Sequence, residues 1–433
     1  MPDVTATATP TRPGAEDAGW ALATAHLARI QKAACDLYGI EGFEQNPLEH
    51  PKVVAHLMKV FRSMRPEADE AMLQQMLEQE RVRSAKVRAQ CPTAYENPEW
   101  YALLVGFYDS LAVSAAEMNL KITHKPLLGT LATGRVNGMA VGLDDTPTRI
   151  ILLEHGLFGF ANLMCKAVAS AFPMLPDAGD GRLGFSTDTA EVARKLDADD
   201  APVERFFDAL CSYVVRGNPH AAEAYAAPPR VDRLVSTLRA SMEMFIVGHE
   251  IGHVALGHLD GRRAPEAITA DLEAQTVRTN WQQEFEADAI GLLLMVRTMI
   301  REHGLDVAMS YWGAHLFFGC VEIVERTVSL LATGEPATWR GSSHPPTQQR
   351  QAMLQQVLER HVDAEDAVRG AVSLAGVLDE VLAQFWARCE GPLRRLHAQG
   401  HRPAAWWMAG AEHDAHDAHD DTTGPAAGAA PGV

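Results

Sequence analysis

The chain is short of positive charge: 38 Lys and Arg against 56 Asp and Glu leave a formal charge of −18 over 433 residues. A surface of that sign repels nucleic-acid phosphates and anionic lipid headgroups, so neither nucleic acid nor a membrane surface is an expected partner. Cys-x-x-Cys pairs are absent as well. The six cysteines (Cys35, Cys91, Cys165, Cys211, Cys320 and Cys389) lie far apart and read as buried, reduced thiols of a cytosolic protein. No run of about 18 uncharged apolar residues occurs. The nearest candidate, 150–175, is interrupted by Glu154, His155 and Lys166. The opening MPDVTATATPTRPGAEDAG has neither the basic stretch nor the apolar stretch of a secretory signal. The expectation is a soluble, cytoplasmic protein with no membrane span.

What is present reads as mainly α with a small β-sheet, an α+β fold. Hydrophobic residues make up 47% of the chain, enough for a sizeable core. Residues 1–18, rich in Thr, Pro and Ala, are expected to be disordered. Residues 19–124 form a helical N-terminal region. GWALATAHLARIQKAACDLYG, PKVVAHLMKVFRSM, PEADEAMLQQMLEQERVRSAKVRAQ and NPEWYALLVGFYDSLAVSAAEM each repeat apolar residues every three to four positions. Over 127–160 the pattern changes. Glycines, an Asp-Asp-Thr-Pro turn and a β-branched run predict two or three short strands. Helix is expected again at 161–175, then a polar loop with a short helix at 176–200, then mostly helix from about 202 to 397. The organisation that follows is a core over 125–360, C-terminal helices over 361–402, and a disordered His/Asp tail over 403–433.

One helix carries chemistry. From about Val231 to Leu259, Leu234, Leu238, Met242, Phe245, His249, His253 and Leu256 fall on a single stripe. Within it, residues 249–253 read His-Glu-Ile-Gly-His. Four residues make roughly 400° of turn, so the imidazoles of His249 and His253 project the same way and can grip one ion. Glu250 sits about 100° round from His249. It can overhang the ion without ligating it, which is where a water-activating base is needed. Two histidines and a glutamate on an apolar stripe are costly to bury unless something satisfies them. Asp260-Gly261 is expected to close the helix.

A catalytic zinc takes three protein ligands and keeps one position open. The longer HExxHxxGxxH pattern fails, because Leu256 and Leu259 occupy its glycine and third-histidine positions. His258 lies about 180° from His249 on a continuous helix and would ligate only if the helix broke at Gly257, so it reads as a structural or surface histidine. A better third ligand comes in Asn-Trp-Gln-Gln-Glu-Phe-Glu-Ala-Asp, where Asn280 is a plausible N-cap and the helix runs on to Gly304. Glu284 and Asp288 stand four apart on one face. Glu284 can complete the zinc site, and Asp288 can accept the second ring N–H of a ligand histidine. Glu286 points elsewhere, roughly 200° round.

HEIGH followed by ExxxD resembles the gluzincin metallopeptidases, and within them the HtpX and CAAX-prenyl-endopeptidase family. VNGMAVG (136–142) resembles that family's strand before the catalytic helices, RIILLEHGL (149–157) the strand after it, and SHPPTQQR (343–350) its HPPxxxR motif. The resemblance covers roughly 125–360 and implies a zincin-like core. It implies one zinc per chain held by His249, His253 and Glu284, with Glu250 as general base and Asp288 behind the ligands. It also implies that His344 and Arg350 lie near the site, either stabilising the oxyanion or holding the catalytic helices together. The chain departs from the family in lacking a spanning helix, in the long stretch between strands and HEIGH, and in its helical N-terminal region.

The expected activity is zinc-dependent endopeptidase cleavage of an intracellular protein or peptide substrate. If Asn137, Gly138, Met139 and Ala140 form an edge strand, an extended substrate can add to it through main-chain hydrogen bonds. Other readings stay open: a regulatory protease with one target such as a repressor or stress factor, a non-catalytic metal-binding scaffold, or a hydrolase of a non-peptide amide. The N-terminal helices are a candidate dock for a regulatory partner.

Overall fold

Strand β3 (Thr146–Glu154) holds the apolar run Ile150-Ile151-Leu152-Leu153, and all four side chains are buried. A run buried on both faces belongs in the middle of a sheet, and β3 is central. It pairs in parallel with β1 (Leu127–Leu131) and antiparallel with β2 (Gly138–Leu143), in the order β1-β3-β2. The two-residue side-chain period divides the sheet's contacts. Leu127, Leu131, Val141, Ile150 and Leu152 meet Ala23, Leu27, Ile30 and Ala34 of α1 (Ala15–Tyr38). Leu128, Ile151 and Leu153 join the main core on the opposite face.

The structure is a computed structural model that describes residues 15–40, 48, 51–144, 146–175, 184–260, 281–337 and 345–408. It is mainly helical with this one small sheet. The N-terminal region supplies α1, α2 (Pro51–Met64), α3 (Glu70–Arg88) and α4 (Pro98–Glu117). Helices α2 and α3 share a small cluster of Met58, Leu73 and Leu77, whereas Leu104, Tyr108, Leu111 and Ala115 of α4 belong to the main core. After the sheet come α5 (His155–Ala171), α6 (Thr189–Ala198) and α7 (Ala201–Val214). Helix α5 starts six residues before the sequence pattern suggests, because the buried strand passes into it directly at Glu154. The main core is completed by α8 (Asp232–Ala255), α9 (Trp281–His303), α10 (Val307–Thr333), α11 (Thr347–His361) and α12 (Glu365–Ala398).

Both ends of the described chain correct an expectation of disorder. Residues 15–18 are the first turn of α1. Near the other end, Trp406 and Trp407 stack at 4.2 Å and pack on Tyr213, while the Ala404 amide donates to the Val214 carbonyl. Two indoles anchor a segment whose neighbours are polar and small. The His/Asp triplets lie outside the described residues.

Helices α8 and α9 lie unusually close. A Cβ added at Gly248 would sit 3.0 Å from Gly291 Cα, and one at Gly252 would sit 2.9 Å from Ala287 Cα. A Cβ on Gly291 would sit 2.7 Å from the His249 amide nitrogen. Gly248 and Gly252, four apart on α8, thus face Ala287 and Gly291, four apart on α9. Small residues at this spacing let two backbones approach. On α8's way to this contact, Glu243 is buried with Arg239 Nε at 3.6 Å from its Oε2, and burial pushes its carboxyl up to about 7.

Gly291→Ala is expected to lower stability by about 1–3 kcal/mol through overpacking, although alanine is the better helix former by about 1 kcal/mol. Chemical denaturation checks this, and an unchanged midpoint would mean the helices part freely. A second expectation concerns pH. Glu243 has a folded pKa above its unfolded one, so the native state holds the proton more tightly, and the stability this confers is lost as pH rises from about 4.5 through about 7. The stability difference between wild type and Glu243→Gln should therefore shift by about 3 kcal/mol in favour of the variant between pH 4 and pH 8. A difference independent of pH would show that Glu243 does not titrate in this way.

Candidate metal centre

The backbone contact of α8 and α9 sets His249 and His253 against Glu284 and Asp288. All four are buried. Nε2 of His249 lies 3.1 Å from Nε2 of His253. Glu284 presents Oε1 at 3.4 Å from His253 Nε2 and Oε2 at 3.6 Å from His249 Nε2. Among the described residues, this trio is the group with donor atoms placed to hold one metal ion.

The donors fit zinc in kind and spacing. Two imidazoles and a carboxylate are donors that zinc accepts, and bonds of about 2.0–2.1 Å in a tetrahedron set donors about 3.3 Å apart. The Nδ1–H of His249 donates to Asp288 Oδ1 at 2.8 Å. A neutral His249 then has its lone pair on Nε2, facing the other two donors.

Asp288 is itself clamped. Arg350, from the first turn of α11, donates through Nε to Oδ2 at 2.7 Å and through NH2 to Oδ1 at 2.6 Å. Its guanidinium lies over the Phe318 ring at 4.8 Å and reaches within 3.9 Å of Glu284 Oε2. Burial alone would raise the Asp288 carboxyl, but the Arg350 charge and hydrogen bonds and the His249 N–H outweigh it and hold Asp288 below the usual carboxylate range. Of the two roles the resemblance offers Arg350, this placement fits the second, joining α11 to the helix that carries Glu284. His344 and Asn280, the expected N-cap, lie outside the described residues.

Glu250 is buried beside the trio, and burial pushes its carboxyl up, with the two imidazoles opposing. Its Oε1 stands only 3.1 Å from where a Cβ on Gly138 would lie. Gly138 opens β2, so the carboxylate abuts the first residue of that strand. Gly138, Met139 and Ala140 lie on β2, which among the described residues pairs with β3 alone and so is an edge strand of the sheet. Asn137 precedes it and is tied to Glu154, donating through Nδ2 at 3.4 Å and accepting the Glu154 amide at its carbonyl at 3.0 Å.

The end of α8 differs from expectation. The helix stops at Ala255, and the terminating glycine is Gly257 at φ +72°, not Gly261. The His258 amide donates back to the His253 carbonyl at 3.1 Å. This six-to-one bond closes a left-handed helix end that favours glycine. The break turns His258 inward, so it is buried and not a surface residue. Its Nδ1 lies 3.0 Å from His253 Nδ1, and its Nε2 lies 3.1 Å from Glu286 Oε2. The break at Gly257 thus makes His258 a structural histidine, and Glu286, which helix spacing places away from Glu284, joins the site through it.

Compared with family models, curated proteins and solved structures, the chain matches none of them.

The clamp on His249 predicts strong coupling. Asp288→Asn and Arg350→Met should each cost about 3–5 kcal/mol, because each strands a buried charge or its partner. The double variant should cost much less than the sum. Additive losses in a denaturation cycle would mean the pair is not energetically linked.

Proposed function

We propose that this protein is a zinc-dependent metalloendopeptidase with a zincin-like core that hydrolyses peptide bonds in an intracellular protein substrate. The observation that carries the reading is the joint placement of Glu250. It stands beside a three-donor group suited to zinc and against the first residue of an edge strand. The resemblance of HEIGH, ExxxD and HPPxxxR to the HtpX and CAAX-prenyl-endopeptidase family supports it.

In this reading His249, His253 and Glu284 hold one zinc per chain. A zinc ion supplies, when bound, a Lewis acid that acidifies water and polarises a carbonyl. The chain's own residues do the rest. The outer edge of β2 orients an extended peptide through main-chain hydrogen bonds, which suits cleavage within a chain. Glu250 takes the proton of the attacking water and delivers it to the leaving amine. Its burial keeps the carboxyl a stronger base than an exposed glutamate. Asp288, locked by Arg350, keeps the His249 ring turned with Nε2 towards the donor group. The chain's charge of −18 stands against nucleic acid as substrate.

Elemental analysis should find about one zinc in purified wild type and much less in Glu284→Ala. Glu250→Gln should keep its zinc and lose about 10²–10⁴-fold in turnover, read as new N-termini from a denatured-protein library. A wild type without zinc would make the trio an ordinary buried cluster. Zinc with no cleavage by any form would favour a metal-binding scaffold.

A further inference from the structure

We propose that His258, backed by Glu286, is the positioning residue for His253 and sets how tightly the site holds its metal. This rests on the zinc reading above and assigns a role that neither the HExxH spacing nor the Glu284–Asp288 pair contains.

The proton positions follow from the partners. A carboxylate only accepts, so Glu286 Oε2 at 3.1 Å takes the Nε2–H of His258. A neutral His258 then has its lone pair on Nδ1, which faces His253 Nδ1 at 3.0 Å. The proton of that contact therefore belongs to His253. A neutral His253 with its proton on Nδ1 presents a lone pair at Nε2. A neutral His249 is in the same state, with its Nδ1–H given to Asp288 and its lone pair on Nε2. In these neutral tautomers both Nε2 atoms, 3.1 Å apart with the Glu284 carboxylate alongside, offer lone pairs to one cation.

The support reaches outward in an ordered way. Glu286 is on α9, two residues beyond Glu284, and its Oε1 accepts from Gln282 Nε2 at 2.8 Å. His258 is held by the left-handed turn at Gly257, and the next residue packs against the sheet, where a Cβ on Gly142 would lie 2.9 Å from the Leu259 carbonyl oxygen. The two ligand histidines therefore have unlike backing. His249 leans on a buried carboxylate clamped by an arginine, and His253 leans on a second imidazole that ends at a half-exposed glutamate.

The test is zinc affinity by competition with a chelator of known strength, on wild type, His258→Phe, His258→Asn and Glu286→Gln, with apo-protein denaturation midpoints alongside. Outer partners of this kind change metal affinity by about 10–100-fold. His258→Phe fills the space but accepts no hydrogen bond, so it should weaken zinc by that factor. His258→Asn can accept the His253 Nδ1–H through its side-chain oxygen and should recover most of the loss. Glu286→Gln should fall between wild type and His258→Phe. Equal affinity in wild type and His258→Phe overturns the proposal while leaving the zinc reading intact. A loss that His258→Asn fails to recover, with apo midpoints unchanged, also overturns it. No zinc on wild type sinks the metallopeptidase reading and this inference together.

Discussion

Helices α8 and α9 touch backbone to backbone where Gly248 and Gly252 face Gly291 and Ala287. At that distance two short side chains from one helix meet two carboxylates from the other without any loop having to reach across. The donor spacing of 3.1–3.6 Å is thus set by helix geometry and by the absence of four larger side chains. Rigid elements hold functional groups more tightly than loops do. The sheet completes the arrangement from the other side, since β2 meets Glu250 at Gly138, where a Cβ would stand 3.1 Å from its Oε1.

The charges around the site are arranged so that one buried cation serves two carboxylates. Arg350 is bonded to Asp288 and near Glu284, and its guanidinium lies over the Phe318 ring. A lone carboxylate at Asp288's depth would take up a proton. The arginine keeps it charged, and a charged Asp288 is what holds the His249 proton on Nδ1. Helices α8, α9 and α11 are thereby joined through one chain of bonds, His249 to Asp288 to Arg350.

Much of this was legible in the sequence because helical spacing converts directly into a face. His249 and His253 share one by their four-residue separation, as do Glu284 and Asp288. The mainly helical fold with a small sheet was readable from the change of period near residue 127. Three-dimensional closure was not. Periodicity says which face of α1 is apolar, but not that it covers the sheet. Of the two readings of His258, structural or surface, the structure fits the first: the helix ends at Ala255, and the positive φ at Gly257 turns the ring against His253, which the angular count on a continuous helix does not give. The small residues of α8 and α9 were in view, but only their mutual approach gives them meaning. Trp406 and Trp407 were masked by the low-complexity stretch beyond them.

The left-handed end of α8 ties together two things that are separate in most helices. Terminal turns ordinarily fray at little cost, and their opening disturbs nothing else. Here the final turn contains a metal donor, His253, and the residue just beyond the turn contains that donor's partner, His258. Unwinding this end by a single turn removes both at once. An ion held by the three donors would therefore act as a rivet on the helix terminus, and amide exchange over 250–258 would report its arrival without any substrate.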